Sequence, residues 1–195
     1  MYRILVVDNG AIDREMIRSV LTDRLGDVVE ILQAAGPEEA QNILSVQRID
    51  LLIADVPLSS VSVKHLVRLA RRMNDKVSVI FTSVKSGAQM ARLADRLGAR
   101  GYLLKPFRRE KLLELVSPLV LENREQKSRV EETRAEKDRK LCLAAIGNNI
   151  HDCQYKKSLE TAKEYIDFLF RSSENMNIIR GRTVEFISGL AALGE

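Results

Sequence analysis

Short apolar runs recur through the first half of the chain, and most of them end on a polar residue. They are separated by stretches in which apolar residues follow a helical period. Continuous runs of Val, Ile and Leu predict parallel strands that are buried on both faces of a sheet. The predicted strands lie within Arg3–Asn9, Val28–Ala35, Leu51–Asp55, Val77–Thr82 and Gly101–Leu104.

A helix is predicted after each strand. Glycines at positions 26 and 98 follow the first and fourth helical patterns, where they favour helix ends. The third and fourth patterns cover Ser62–Met73 and Ser86–Leu97, and a fifth begins near Phe107. Five strand–helix units in this order predict an α/β fold with a doubly wound, five-stranded parallel sheet. The expected topology is flavodoxin-like, with strand order 2-1-3-4-5.

The fifth helix carries no stop signal before Gly147, and its middle part is almost entirely polar. Within residues 122–140, Glu125/Arg129 and Glu136/Lys140 have the i,i+4 spacing that supports an exposed helix. A coiled-coil seam through this stretch would be too polar to dimerise strongly. From Leu141 onward, amphipathic patterns predict three short helices in a small bundle. The predicted organisation is therefore 1–121, a sheet domain; 122–140, a charged linker helix; and 141–195, a helical bundle for signalling or dimerisation.

The charge distribution bears on the class of partner. The net charge of +4 falls in residues 1–121, which contain 18 Lys and Arg against 14 Asp and Glu; residues 122–195 contain 13 of each. A nucleic-acid-binding tail is expected to be basic, so the neutral tail argues against one. No apolar stretch approaches the ~20 residues that span a bilayer, and no signal peptide or cysteine metal motif occurs. We therefore expect a cytoplasmic protein with no membrane partner.

The polar residues at the strand ends form the candidate site. Ligands of doubly wound sheets bind at the carboxyl ends of the strands, so these side chains are predicted to meet at one edge. Oxygen ligands beside a single ammonium group suit a divalent cation and a phosphoryl group. The residues are Asp8, Asn9, Asp55, Thr82 and Lys105.

This set of strand ends, in this order and spacing, resembles the CheY-like receiver domain of two-component response regulators over about the first 120 residues. The resemblance implies a protein that is not an enzyme in the usual sense and that accepts a phosphoryl group from a histidine kinase. It implies Asp55 as the phospho-acceptor, assisted by Thr82 and Lys105, and a cis peptide before Pro106. It also implies Mg²⁺ as cofactor and Tyr102 as the aromatic switch. The implied metal ligands are Asp8, Asn9, Asp55 and the backbone carbonyl of Pro57.

Three departures from the family pattern bear on the chemistry. Asn9 stands where a second acidic residue is usual, which removes one negative charge from the metal site. Leu58-Ser59 and Val63 replace the usual residues after the acceptor, and Ser83 replaces a small Ala or Gly. A pseudo-receiver that signals or dimerises without phosphate is therefore an alternative.

The C-terminal pattern resembles the segment between receiver and DNA-binding domain in AraC-type, YesN-like response regulators. It rests on Ala145-Ile146-x-x-Asn149, on Ala162 with Ile166, Leu169 and Phe170, and on Arg180, Arg182, Glu185, Ser188 and Leu190. This resemblance implies a transcriptional regulator that binds DNA only through a domain absent from this chain, which would then be truncated. The apolar rows of the bundle also predict a homodimer. A receiver followed by an RNA-binding ANTAR domain is a further alternative, disfavoured by the neutral tail.

Overall fold

The computed structural model describes residues 1–56, 60–85, 88–151, 154–172 and 175–193. These residues divide into an N-terminal unit, Met1–Arg124, and a C-terminal unit, Glu125–Glu195. We describe the two units separately.

The N-terminal unit alternates strands and helices, as predicted. The strands are β1 (Tyr2–Val7), β2 (Val29–Ala34), β3 (Leu51–Asp55), β4 (Ser78–Ser83) and β5 (Gly101–Leu104). The helices between them are α1 (Ala11–Leu25), α2 (Pro37–Val46), α3 (Ser60–Met73) and α4 (Ala88–Arg96), and α5 (Arg109–His151) begins after β5. A short 3-10 turn, Gly26–Val28, connects α1 to β2.

All strand pairs are parallel, and their order in the sheet is β2-β1-β3-β4-β5. The predicted doubly wound, flavodoxin-like topology is confirmed. The observed elements differ from the predicted bounds by one or two residues, and residues 86–87 of the predicted fourth helix lie outside the described ranges.

Alternation along the central strands divides the apolar side chains between two cores. Leu5 and Val7 of β1 belong to the core that includes residues of α2, α3 and α4. Ile4 and Val6 belong to the core that includes residues of α1 and the first part of α5. Both faces of the sheet are therefore covered, which explains why its strands are continuous apolar runs.

The predicted glycine helix ends are confirmed in two places. Gly26 follows α1 with φ of 57°, and Gly98 lies just beyond α4 with φ of 56°. Both angles lie in the left-handed region, which glycine enters without the steric penalty of a side chain.

The C-terminal unit consists of residues 125–151 of α5, together with α6 (Tyr155–Ser172) and α7 (Met176–Ala191). Helix α5 is continuous from Arg109 to His151 and passes through Gly147, so the first of the three predicted short helices is the last part of α5. A glycine inside a helix costs only about 1 kcal/mol, and four further residues propagate the helix here. The bundle therefore contains two complete short helices and the end of a long one, not three short helices.

The core of the C-terminal unit is small. Its central cluster of buried residues is Ile146, Tyr165, Leu169 and Phe186, and the rings of Tyr165 and Phe186 have centroids 4.7 Å apart. Several large apolar side chains of the same helices remain exposed, namely Leu159, Phe168, Phe170, Val184 and Ile187. None of the helices in the described ranges is both long enough and apolar enough to cross a bilayer.

Candidate functional site

The carboxyl ends of the strands bring together four of the predicted site residues. Asp55 is the last residue of β3 and is paired in register with Thr82 of β4. Asp8 and Lys105 directly follow β1 and β5. Backbone hydrogen bonds extend the strand alignment to this edge, because the N–H of Lys105 donates to the carbonyl of Ser83 over 2.8 Å. Parallel pairing therefore places residues that are far apart in sequence within one pocket.

The ammonium group of Lys105 lies among three carboxylates. Its Nζ atom is 2.5 Å from Asp8 Oδ2, 2.9 Å from Asp13 Oδ2 and 3.3 Å from Asp55 Oδ1. The Lys105 side chain is 10% exposed and that of Asp8 is 1% exposed. Lys105 thus neutralises part of an acidic pocket that retains an excess of negative charge.

Asp55 is the most accessible of the predicted strand-end carboxylates, with a side chain that is 20% exposed. Its Oδ1 accepts a hydrogen bond from the Thr82 hydroxyl over 3.4 Å. Burial raises the pKa of Asp55 above its ordinary value, and the charge of Asp8 adds to this effect. Lys105 and Thr82 act in the opposite direction without cancelling it. The pocket therefore contains a solvent-accessible carboxylate whose ionised form is less favoured than it would be in water.

The pKa of Lys105 is also displaced. Burial by itself lowers it, but the hydrogen bonds to Asp13 and Asp8 and the charge of Asp55 outweigh burial and raise the pKa above its ordinary value. The lysine is therefore a fixed positive charge at neutral pH.

The sequence singled out three further positions for this edge of the sheet, namely Asn9, Pro57 and Ser83. Asn9 is exposed, and within the described ranges its side chain makes no hydrogen bond. Pro57, whose carbonyl was an implied ligand, lies outside the described residues, as do Leu58 and Ser59. Ser83 is buried, and its Oγ accepts a hydrogen bond from the N–H of Lys85 over 3.0 Å. Its hydroxyl therefore serves the local turn.

Asp13 is a pocket residue that the strand-end argument missed. It lies in the first turn of α1, where an acidic residue is ordinarily explained by the positive end of the helix dipole. The sequence contains no signal that separates that role from one in the pocket. Gly10 also contributes, because its N–H donates to Asp8 Oδ1 over 2.8 Å.

A comparison with protein-family models matches residues 4–117 to the response regulator receiver domain. The match includes residues 4–7 of β1, the other four strands and every strand-end residue of the pocket. The chain belongs to the receiver domain family. It therefore carries the signalling domain that two-component response regulators share, as the resemblance implied.

Sequence comparison finds similar bacterial signalling and regulatory proteins. The sensory transduction protein LytT of Bacillus subtilis is 29% identical over 125 residues, which cover 64% of this chain and 51% of LytT. The transcriptional regulatory protein TdiR of Thauera aromatica is 28% identical over 144 residues, covering 74% of this chain and 62% of TdiR. The chain thus matches only about half the length of LytT.

A solved response regulator from Thermotoga maritima has the same fold as the N-terminal unit. It is 28% identical, with a TM-score of 0.55, and the match covers 62% of this chain and 98% of that one. The matched family region ends at residue 117, so most of α5 and all of α6 and α7 lie beyond it.

Two further receiver features are visible outside the acidic pocket. The Lys105–Pro106 peptide is cis, as the resemblance implied. Tyr102 lies on β5, is 40% exposed and lines a surface cavity of about 490 Å³ with Leu104 and Phe107. Its role as a switch stays a prediction.

The pocket fits Mg²⁺, the cofactor typical of receiver domains, by donor type and charge. Its donors are carboxylate oxygens, and three carboxylates against one ammonium leave a surplus that a divalent cation neutralises. No three His, Cys, Asp or Glu side chains in the described part of the chain are grouped as a complete metal site. Mg²⁺ does not need such a cage, because it keeps several waters and takes one or two carboxylates.

Proposed function

We propose that this chain is a phosphoryl-accepting response regulator, in which Asp55 takes a phosphoryl group from a histidine kinase. The observation that carries the proposal is the surroundings of Asp55. A reachable carboxylate at the end of β3 lies 3.3 Å from the Lys105 ammonium and 3.4 Å from the Thr82 hydroxyl. These are a nucleophile, a charge to neutralise the transferred group and a hydrogen-bond donor to one of its oxygens.

The transfer forms one bond and breaks one. A carboxylate oxygen of Asp55 attacks phosphorus, and the bond from phosphorus to the nitrogen of the phosphohistidine, or to the oxygen of a small acyl phosphate, breaks. The departing group takes the electron pair. Thr82 then donates to a phosphoryl oxygen, and Lys105 balances its charge.

Asp8, Asn9, Asp55 and the carbonyl of Pro57 are the proposed Mg²⁺ ligands. When bound, Mg²⁺ neutralises negative charge on the transferred group. Asp8 supports this assignment, because it is an almost fully buried carboxylate beside Asp55. Asn9 contributes an amide oxygen in place of a carboxylate, so the site is expected to bind Mg²⁺ weakly.

The C-terminal unit is the proposed output and dimerisation element. The relative TdiR is named a transcriptional regulatory protein, which supports an output role in transcription for this protein as well. Exposed apolar side chains on α6 and α7, including Phe170 and Ile187, support burial against a second copy. We expect the wild type to sediment as a dimer and the double variant Phe170→Lys, Ile187→Lys as a monomer. Asp167→Lys, at an exposed polar position of α6, is the matched control, and a monomeric wild type contradicts the proposal.

Beryllofluoride, a stable mimic of the phosphoryl group, tests the function directly. With Mg²⁺ present, fluorine NMR is expected to show a bound species for the wild type and none for Asp55→Asn. Asp23→Asn, which removes an exposed carboxylate of α1, is the control and is expected to bind as the wild type does. If the wild type binds no beryllofluoride, the pocket is that of a pseudo-receiver.

A further inference from the structure

Asp13 reaches the pocket from helix α1 and not from the end of a strand. Its Oδ2 lies 2.9 Å from Lys105 Nζ, although the residue belongs to α1. Gly10 lies beside both carboxylates. A Cβ atom at position 10 would lie 3.2 Å from Asp8 Oδ1, a tight contact, and 3.4 Å from Asp13 Oδ2.

The donors of Lys105 are already matched by acceptors. An ammonium group has three N–H donors, and Asp8, Asp13 and Asp55 each present an oxygen within 3.3 Å of Nζ. A phosphoryl group on Asp55 can accept the N–H that now faces Asp55, which is the most distant of the three carboxylates. A closer approach of the ammonium, or a second hydrogen bond to the phosphoryl oxygens, requires Asp8 or Asp13 to release it.

The three carboxylates differ in the free-energy cost of losing their interaction with the Lys105 ammonium. Asp8 has a side chain that is 1% exposed, so the loss of its counter-charge would leave a buried and poorly solvated anion. Asp55 is the residue that carries the phosphoryl group. Asp13 is 41% exposed, so water can replace the ammonium as its partner. Asp13 is the carboxylate that yields at least cost.

We propose that Asp13 is a positioning residue that competes with the phosphoryl group for Lys105. This inference rests on the proposed phosphorylation of Asp55. In the unmodified pocket Asp13 and Asp8 hold the ammonium closer to themselves than to Asp55. Because Asp13 interacts with Lys105 more strongly before phosphorylation than after it, it shifts the equilibrium toward the unphosphorylated form.

Beryllofluoride affinity at saturating Mg²⁺ tests this competition. Asp13→Asn is expected to bind beryllofluoride about two- to fivefold more tightly than the wild type, the range for an ion pair with one exposed partner. Glu15→Gln removes the same charge from the same helix, but Glu15 pairs with Arg18, so a smaller change is expected. Unchanged or weaker binding by Asp13→Asn overturns the proposal. A residue with only a structural role would not give a gain in affinity.

A second readout does not depend on phosphoryl chemistry. The rate at which an amine-specific reagent labels Lys105, measured by peptide mapping, is expected to rise in Asp13→Asn and to stay unchanged in Glu15→Gln. An unchanged rate in Asp13→Asn means that Asp13 does not hold the lysine, which overturns the inference. If labelling rises but neither the wild type nor Asp13→Asn binds beryllofluoride, the proposed function and the competition both fail, and only the contact of Asp13 with Lys105 stands.

Discussion

The hydroxyl of Thr82 donates to Asp55 Oδ1 over 3.4 Å, and the two residues are partners in the register of β3 and β4. Their contact follows from the pairing of neighbouring parallel strands, so the sheet itself presents the hydroxyl to the carboxylate. In the proposed mechanism the same hydroxyl donates to the transferred group.

Removal of this hydroxyl is expected to slow phosphorylation without unfolding the protein. Thr82→Val keeps the branched shape at a buried position. The rate of phosphorylation by acetyl phosphate is expected to fall by about ten- to a hundredfold, at or below the loss caused by removal of an oxyanion-hole donor. Ser83→Ala is the matched control, because the Ser83 Oγ is used by the N–H of Lys85. Equal rates for the wild type and Thr82→Val would remove Thr82 from the mechanism.

The raised pKa of Asp55 has a consequence for stability. A carboxyl group whose pKa is higher in the folded than in the unfolded state stabilises the fold below its unfolded pKa, and that contribution is lost as pH rises through its folded pKa. Asp55→Asn is therefore expected to have a larger free energy of unfolding than the wild type at neutral pH. The difference should shrink toward about pH 4, near the ordinary pKa of the group. Urea unfolding of both proteins at both pH values measures it, and a wild type that is the more stable at neutral pH is the opposite result.

Addition of a carboxylate at position 9 is expected to strengthen metal binding. Asn9→Asp places a negative charge beside Asp8, so Mg²⁺ affinity measured by calorimetry should rise several-fold. Asn42→Asp makes the same substitution at an exposed position of α2 and should leave the affinity unchanged. Equal or weaker Mg²⁺ binding by Asn9→Asp would show that position 9 is not part of the metal site.

The stability of the C-terminal unit is expected to depend on the buried ring of Phe186. Phe186 is fully buried against Tyr165, whereas Phe168 is about half exposed. Phe186→Ala should cost about 3–5 kcal/mol, as is usual for a buried Phe, and should remove hydrogen-exchange protection from α6 and α7. The amides of β1 and β3 should keep their protection, because the N-terminal unit has its own cores. Phe168→Ala is the control, and equal effects of the two substitutions would contradict the packing described here.

The sequence was sufficient to predict where four pocket residues meet. Asp8, Asp55, Thr82 and Lys105 each end an apolar run, and parallel strands in a doubly wound sheet bring such ends to one edge. Asp13 could not be found in this way, because it lies in the first turn of α1 and its place in the pocket depends on how that helix follows β1. The separate short helix predicted from Leu141 is instead the last part of α5, because the cost of Gly147 within a helix is small compared with the continuation of helical hydrogen bonds to His151.

Phosphorylation itself provides the most direct test of the central claim. Intact-mass spectrometry after incubation with acetyl phosphate and Mg²⁺ is expected to show the addition of one phosphoryl group to the wild type. The addition should be lost on omission of Mg²⁺ and absent from Asp55→Asn, whereas Asp23→Asn should react as the wild type does. An unmodified wild type, or an Asp55→Asn variant that gains the same mass, would contradict the assignment of Asp55 as the phospho-acceptor.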